Sequence, residues 1–190
     1  EYSQEIRDLA DKLTAGKKTE LEKAEAISTW VSTHIYYDYP ELRSPAGGQA
    51  TVDKQFFEQV LESRLAICDG YAGLTGALMD CVGLECYYEA GVTSTDHAWN
   101  VAYLDGKWVA MDNTYDSPLT YERVAGEGYA VMRGVGEYDT PTNIKEPNAV
   151  PRTIPYRYFG LDLDMFYSTH VFPREPLIVT DTVLTADSVV

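Results

Sequence analysis

Cys68, His97 and Asp112 are the residues in this chain whose types fit nucleophilic acyl transfer. Cys68 opens the run Asp69 to Met79, which is small and apolar along one side and reads as a helix buried in the middle of a domain. In the first turn of such a helix, free backbone amides and the positive end of the dipole favour an anion over a neutral thiol. A core cysteine at a helix end is the blander reading of the same position. A hairpin further along shifts the balance. Asp105-Gly106 between two apolar runs signals a two-residue turn. Leu104 then opposes Lys107, Tyr103 opposes Trp108, Val101 opposes Ala110, Trp99 opposes Asp112, and His97 opposes Thr114. Opposed residues share a face, so His97 lies on the face of Asp112, displaced by two residues, at roughly 7–8 Å between backbone positions. That register predicts an imidazole oriented by Asp112, and a single bulge would put the two on opposite faces. Thiol, imidazole and carboxylate together match the nucleophile, base and orienter of thiol acyl transfer.

Helices and strands must hold these groups in place. Ser3 is expected to cap a first helix through about Lys12, and Thr19-Glu20-Leu21-Glu22 is a capping box for a second. In the second helix Ala24, Ile27, Trp30, Val31 and Ile35 recur at helical spacing. Pro40 biases Tyr39 to extended backbone, so Tyr36 to Pro40 should end that helix and Ser44 to Gly48 continue as loop. Asp53 is expected to cap a shorter third helix through Phe56, Phe57, Val60 and Leu61. Gly70, Gly73 and Gly76 should let neighbours approach the cysteine-bearing helix, and Gly83 should stop it. Strand-like runs cover Glu85 to Val92, His97 to Leu104 and Lys107 to Met111. Trp99 and Trp108 are expected on opposite faces of the hairpin, one of them flooring a cleft. After Pro118 the periodicity fades, seven of the nine prolines lie from Pro118 onward, and aromatic residues are dense. This tract reads as an irregular extension wrapping the core, with a short strand near Tyr156 to Phe159.

Composition excludes several classes of function. The chain has 190 residues, 45% hydrophobic and 24% charged, enough for a real core in one domain without a structural metal or disulfide. Thirty acidic residues against 15 basic ones give a net charge of -15, which repels phosphate backbones and anionic headgroups. Nucleic-acid binding is not expected, and neither is membrane insertion, since no apolar run approaches the length of a bilayer span. Cys68, Cys81 and Cys86 cannot all pair; a bridge across the turn between Cys81 and Cys86 is conceivable, and two buried thiols are favoured. The sequence starts at Glu1 without a leader pattern and is expected to be a processed or excised piece, with any signal peptide or neighbouring domain outside it.

The residues that carry the chemistry also carry a family resemblance. Cys68-Asp69-Gly70-Tyr71-Ala72, Asp96-His97-Ala98-Trp99-Asn100, and Asp105-Gly106-Lys107-Trp108 followed by Asp112-Asn113-Thr114-Tyr115-Asp116 resemble the three blocks of the transglutaminase-like superfamily, in order and at typical intervals. The resemblance covers about residues 20–118, with Tyr37-Asp38 included; the segment from Tyr158 to His170 resembles, more weakly, an extension seen in bacterial members. It implies a papain-like α+β fold, with a central helix bearing the Cys packed on an antiparallel sheet bearing the His and Asp. The whole, 1–190, is then a single domain with its core at about 20–118 and an irregular, aromatic-rich extension at about 119–190. By the same resemblance Cys68 is the nucleophile, His97 the general base and Asp112 the orienter. Members often carry a Gly shortly before the Cys and a Trp where Tyr115 stands, whereas here Arg64-Leu65-Ala66-Ile67 precedes Cys68. The Cys68 amide is the natural oxyanion donor, with Tyr37 and Gln59 as candidates for a second. Calcium sites of animal transglutaminases lie outside these blocks, and Asp162 and Asp164 are too sparse to imply a metal, so no metal or cofactor is expected.

The expected function is thiol-dependent acyl transfer at an amide bond, with peptide or amide hydrolysis ahead of transglutaminase-type transfer to an amine. The alternative from another class is a catalytically silent module that binds peptide or glycan. A protein or peptide substrate, cell-wall-associated ones included, and a secreted or cell-envelope location accompany the leading reading. His34 and His170 are read as structural, since neither has a foreseeable carboxylate partner. The acidic surplus is read as a solvated face.

Overall fold

The computed structural model describes residues 1–43, 56–124, 127–132 and 157–172. Ser3 accepts from the Ile6 amide and starts α1 (Gln4–Thr14), and the Thr19–Glu22 capping box is complete at the start of α2 (Glu20–His34). Side-chain oxygens there satisfy amides that a first helical turn leaves open. Pro40 does not hold Tyr39 extended. After β1 (Tyr36–Asp38), Tyr39 begins the one-turn helix α3 (Tyr39–Leu42), and Pro40 sits in its first turn, where a missing N–H is tolerated. The next helix, α4 (Phe57–Ser63), has Phe56 at its N-cap and no side-chain cap. Asp53 is therefore not its N-cap, and both Asp53 and the expected loop from Ser44 to Gly48 lie outside the described residues.

The cysteine-bearing helix α5 (Cys68–Cys81) is the centre of the molecule. Its Leu74, Leu78 and Met79 are fully buried in one cluster with Ile6 and Ala10 of α1, Ile27 and Val31 of α2, and Val60 of α4. Gly83, at φ 74°, follows its end in the left-handed region that favours glycine. Gly76 does not mark a close approach as expected: a Cβ there would meet only Asn100 Nδ2, at 3.9 Å.

Against α5 lies an antiparallel sheet of β3 (Glu85–Val92), β4 (Asp96–Leu104) and β5 (Lys107–Met111), in that order. The expected register forms, with Leu104 opposite Lys107, Tyr103 opposite Trp108 and Val101 opposite Ala110. Asp105 and Gly106 both take positive φ, 49° and 81°, as the tight turn requires. The Asp105 carboxylate also accepts from the Glu20 and Leu21 amides, at 3.3 and 3.0 Å, tying the turn to the start of α2. The ladder stops at Asn100–Met111, so the expected Trp99–Asp112 and His97–Thr114 pairs do not form. Asp112 instead becomes the N-cap of α6 (Asn113–Asp116). Trp99 and Trp108 pack into one cluster rather than on opposite faces. Trp99 and Tyr103 are four apart on β4 and so share a face, and Trp108 opposes Tyr103.

Beyond Pro118 the chain is more regular than its sequence suggests. β6 (Leu119–Val124) and β7 (Glu127–Met132) form a hairpin, and β6 runs parallel to β1, which runs parallel to β2 (Leu65–Ala66). Residues 157–160 form no strand; the Leu161 amide donates to the Tyr158 carbonyl at 3.2 Å and closes a turn. After it comes α7 (Leu163–Tyr167), capped by Asp162. This segment does pack on the core: Phe166 is fully buried against Trp99, Val101 and Ala110. The three cysteines are free, so the conceivable Cys81–Cys86 bridge is not made. Among the described residues no helix is long and apolar enough to cross a membrane.

Candidate active site

Each member of the predicted set sits at the end of an element. Cys68 is the first residue of α5, partly exposed, and the N-cap position before it is Ile67, whose side chain has no acceptor to offer the first-turn amides. His97 is the second residue of β4 and 8% exposed, whereas Asp112 is wholly buried. One Asp112 oxygen, Oδ1, accepts from the Tyr115 amide at 2.9 Å, and this cap fixes the carboxylate. The other, Oδ2, lies 2.6 Å from His97 Nε2. Tyr115 stacks on the His97 ring, with centroids 4.6 Å apart and planes at 17°, and its hydroxyl meets Thr93 Oγ1 at 2.6 Å. The predicted imidazole–carboxylate pair is thus present, made by a helix cap rather than by strand pairing.

Burial works against a charge on His97, but hydrogen bonds with Asp112 and with Cys68 outweigh it and the imidazole is pushed up to about 9. With Nε2 committed to Asp112, Nδ1 is the nitrogen left for the thiol. Burial likewise works against the Asp112 carboxylate, yet hydrogen bonds from His170 and His97 hold it below its ordinary range. Burial, and then the nearness of Cys68, push the Tyr37 phenol up, so it remains a donor beside the thiol. Gln59 is exposed on α4.

His170 is the residue that sequence reasoning missed. It is fully buried, and its Nε2 lies 2.8 Å from Asp112 Oδ2, giving it the carboxylate partner it was expected to lack. No local signal could reveal this contact, which spans 58 residues of chain. His34 stays on α2, stacked on Trp30. Two further buried acids face the extension. Burial pushes Asp116 up to about 6, and its carboxylate accepts from the Tyr158 and Phe159 amides at 2.6 and 3.1 Å. Burial pushes Glu89 up to about 7, and it accepts from Trp99 Nε1 at 2.6 Å and the Tyr167 hydroxyl at 3.0 Å.

His97, Asp112 and His170 are also the described residues whose clustering could suggest a metal, their ligand atoms all lying within 4.8 Å. Ligands about 2.0–2.2 Å from a tetrahedral Zn²⁺ stand roughly 3.3 Å apart. Spacings of 2.6 and 2.8 Å from two nitrogens to one oxygen are instead those of hydrogen bonds.

The profile of the transglutaminase-like superfamily matches residues 7–113, more than half of the 190. The chain belongs to that superfamily. Its fold is the expected one, a Cys-bearing helix packed on an antiparallel sheet. Kyphoscoliosis peptidase is similar to this transglutaminase-like chain, at 32% identity over 129 residues for the human protein and 30% for the mouse protein. The similarity covers 60% of this chain, which spans only 18% of the length of either relative. Similar solved structures include a candidate cysteine protease from Cytophaga hutchinsonii, at 23% identity and TM-score 0.49, covering 60% of this chain and 38% of that one. A TGase is similar at 22% identity and TM-score 0.48, covering 76% of this chain and 45% of that one. Cys68, His97 and Asp112 fall inside the family match, and His170 falls outside it.

Proposed function

We propose that this transglutaminase-like chain carries out thiol-dependent acyl transfer at an amide bond, with Cys68 as nucleophile, His97 as base and then acid, and Asp112 as orienter. The observation that carries the reading is the 2.6 Å bond from His97 Nε2 to Asp112, with Cys68 near enough to the same imidazole to help raise it. Asp112 holds the ring so that Nδ1, having taken the thiol proton, pairs as imidazolium with the Cys68 thiolate, and Sγ attacks the substrate carbonyl. The Cys68 amide at the α5 N-terminus, and the protonated Tyr37 phenol beside it, are suited to receive the oxyanion. As the C–N bond breaks, His97 returns the proton to the leaving amine and a thioester remains on Cys68. Water then attacks the thioester, releasing a carboxylic acid and restoring the thiol.

The name of the kyphoscoliosis relative, a peptidase, supports water as the second nucleophile and a protein or peptide as substrate. A secreted or envelope location, and cell-wall-associated substrates, follow from the resemblance to bacterial members alone. An activated p-nitrophenyl ester tests the chemistry. The expected result is a stoichiometric burst, an acyl adduct on Cys68 by mass spectrometry, and discharge to water faster than to a lysine-like amine. Faster discharge to the amine would make the reaction a transamidation. Saturable peptide binding that survives Cys68→Ala, with no burst in the wild type, would make the chain a binding module and overturn the proposal.

A further inference from the structure

We propose that His170 is a positioning residue of this site, a role that presupposes the reaction proposed at Cys68: it donates through Nε2 to the same Asp112 oxygen that receives His97. The segment 157–172 then completes the acid–base unit rather than merely covering it. Asp112 Oδ2 receives His97 at 2.6 Å and His170 at 2.8 Å, while Oδ1 receives the Tyr115 amide at 2.9 Å. Three of the roughly four lone-pair sites of the carboxylate are thereby used. A wholly buried carboxylate persists as an anion only with such donors, and the bonds from His170 and His97 together hold Asp112 in that form.

The surroundings of His170 fix its ring. It stacks on Phe166 with centroids 4.1 Å apart and meets Trp99 edge-on at 4.9 Å. Its Nδ1 faces Thr169 Oγ1 at 3.0 Å and the Phe166 carbonyl at 3.2 Å. The backbone around it is anchored to the elements that carry the site. Val171 exchanges hydrogen bonds with Val92 at 2.7 and 2.8 Å, the Gly160 amide donates to Ala110 at 3.1 Å, and Asp116 of α6 holds the Tyr158 and Phe159 amides. A phenyl ring would fill the same volume, so what the imidazole adds is the donor. Asp112 is faced by His97 from β4, Tyr115 and Asp116 from α6, Tyr37 from β1 and Tyr71 from α5. The three tyrosines are all pushed up, chiefly by burial, so they stay neutral across the acid range.

The test is the rate of iodoacetamide alkylation at Cys68 from pH 4 to 9, in the full chain as wild type, His97→Ala, His170→Phe and His170→Gln. Without the donor, Asp112 takes up a proton at higher pH. His170→Phe should therefore slow alkylation at pH 6 about ten-fold and move the acid limb up by about one pH unit, and Gln, which keeps an N–H near the Nε2 position, should recover most of the loss. A wild-type profile in a folded His170→Phe overturns the proposal, and so does a Gln variant that behaves like Phe. If neither variant folds, the imidazole ¹⁵N–¹H spectrum of the wild type decides: an exchange-protected proton on His170 Nε2 upholds the role, and a proton on Nδ1 alone overturns it. Alkylation indifferent to His97→Ala would defeat the proposed reaction and this role with it. A wild-type profile in His170→Phe beside a slowed His97→Ala would defeat only the role of His170.

Discussion

The two faces of the β3-β4-β5 sheet are built on different physics. On the inner face Ala102 and Leu104 join an apolar cluster with α1, α2, α4 and α5, and Asn100 there donates to the Ala72 and Tyr87 carbonyls at 3.1 and 3.3 Å. On the outer face Trp99 and Val101 meet Phe166 and the aromatic rings of the 157–172 segment, and three ionisable groups, Glu89, Asp116 and His170, are buried among them. The nucleophile comes from the apolar side. The groups that hold and move the proton come from the side where charge is buried. Stability near the thiol is therefore set by packing and depends weakly on pH, whereas the outer layer answers to pH and to residues far away in sequence.

The largest expected effects compare packing on the two faces. Phe166→Ala should lower stability by about 3–5 kcal/mol and Leu74→Ala by about 2–5 kcal/mol in urea titrations. One shared transition is expected in both; a separate early transition in Phe166→Ala would show the outer layer to be an independent unit. Gly91 opposes His97, and a Cβ there would run into the Val171 carbonyl and the Trp99 ring. Gly91→Ala should cost about 1–3 kcal/mol and speed hydrogen exchange at the Val171 amide, and unchanged exchange would show that the contact is loose.

Glu89 sharpens the comparison through pH. Its carboxyl is raised from 4.5 to about 7 in the folded chain, so folding binds its proton more tightly than unfolding does. The stability it contributes is full below about pH 4.5 and is lost as pH rises through about 7. Glu89→Gln should therefore flatten the fall in stability between pH 5 and 8, by an amount on the order of 1–3 kcal/mol, and an unchanged slope would contradict the buried charge. The smallest effect is expected on the inner side, where Gly76→Ala should raise the melting temperature through a gain of about 0.5–1 kcal/mol.

Much of this was legible in the sequence because it is local. Capping residues mark α1 and α2, helical spacing marks the buried face of α2, and Asp105-Gly106 sets a hairpin register that holds to the residue pair before Asp112. The nearness of His97 and Asp112 was legible from the hairpin, although a helix cap and not strand pairing makes the contact, and Cys68 was joined to them by its place at a helix start and by the family resemblance. What escaped was either non-local or counter to a local rule. β6 pairs on one side with β1, some eighty residues earlier, so no alternation near Pro118 foretold that pairing. Tyr39 is helical because a first-turn proline is cheap, and Asp53 stands too far before Phe56 to cap α4. His170 reaches Asp112 only because the chain returns across the outer face.

The most direct test of the central claim is an NMR titration of His97 in the wild type, Cys68→Ala and Asp112→Asn. The imidazole is expected to titrate near 9 in the wild type, because hydrogen bonds with Asp112 and Cys68 outweigh its burial, and to fall in each variant. Because the raised value belongs to the folded chain, the stability it contributes is full below about 6.5 and is lost as pH rises through about 9. A His97 that titrates near 6.5 in all three proteins would contradict the account, since the imidazole would then be coupled to neither the thiol nor the carboxylate.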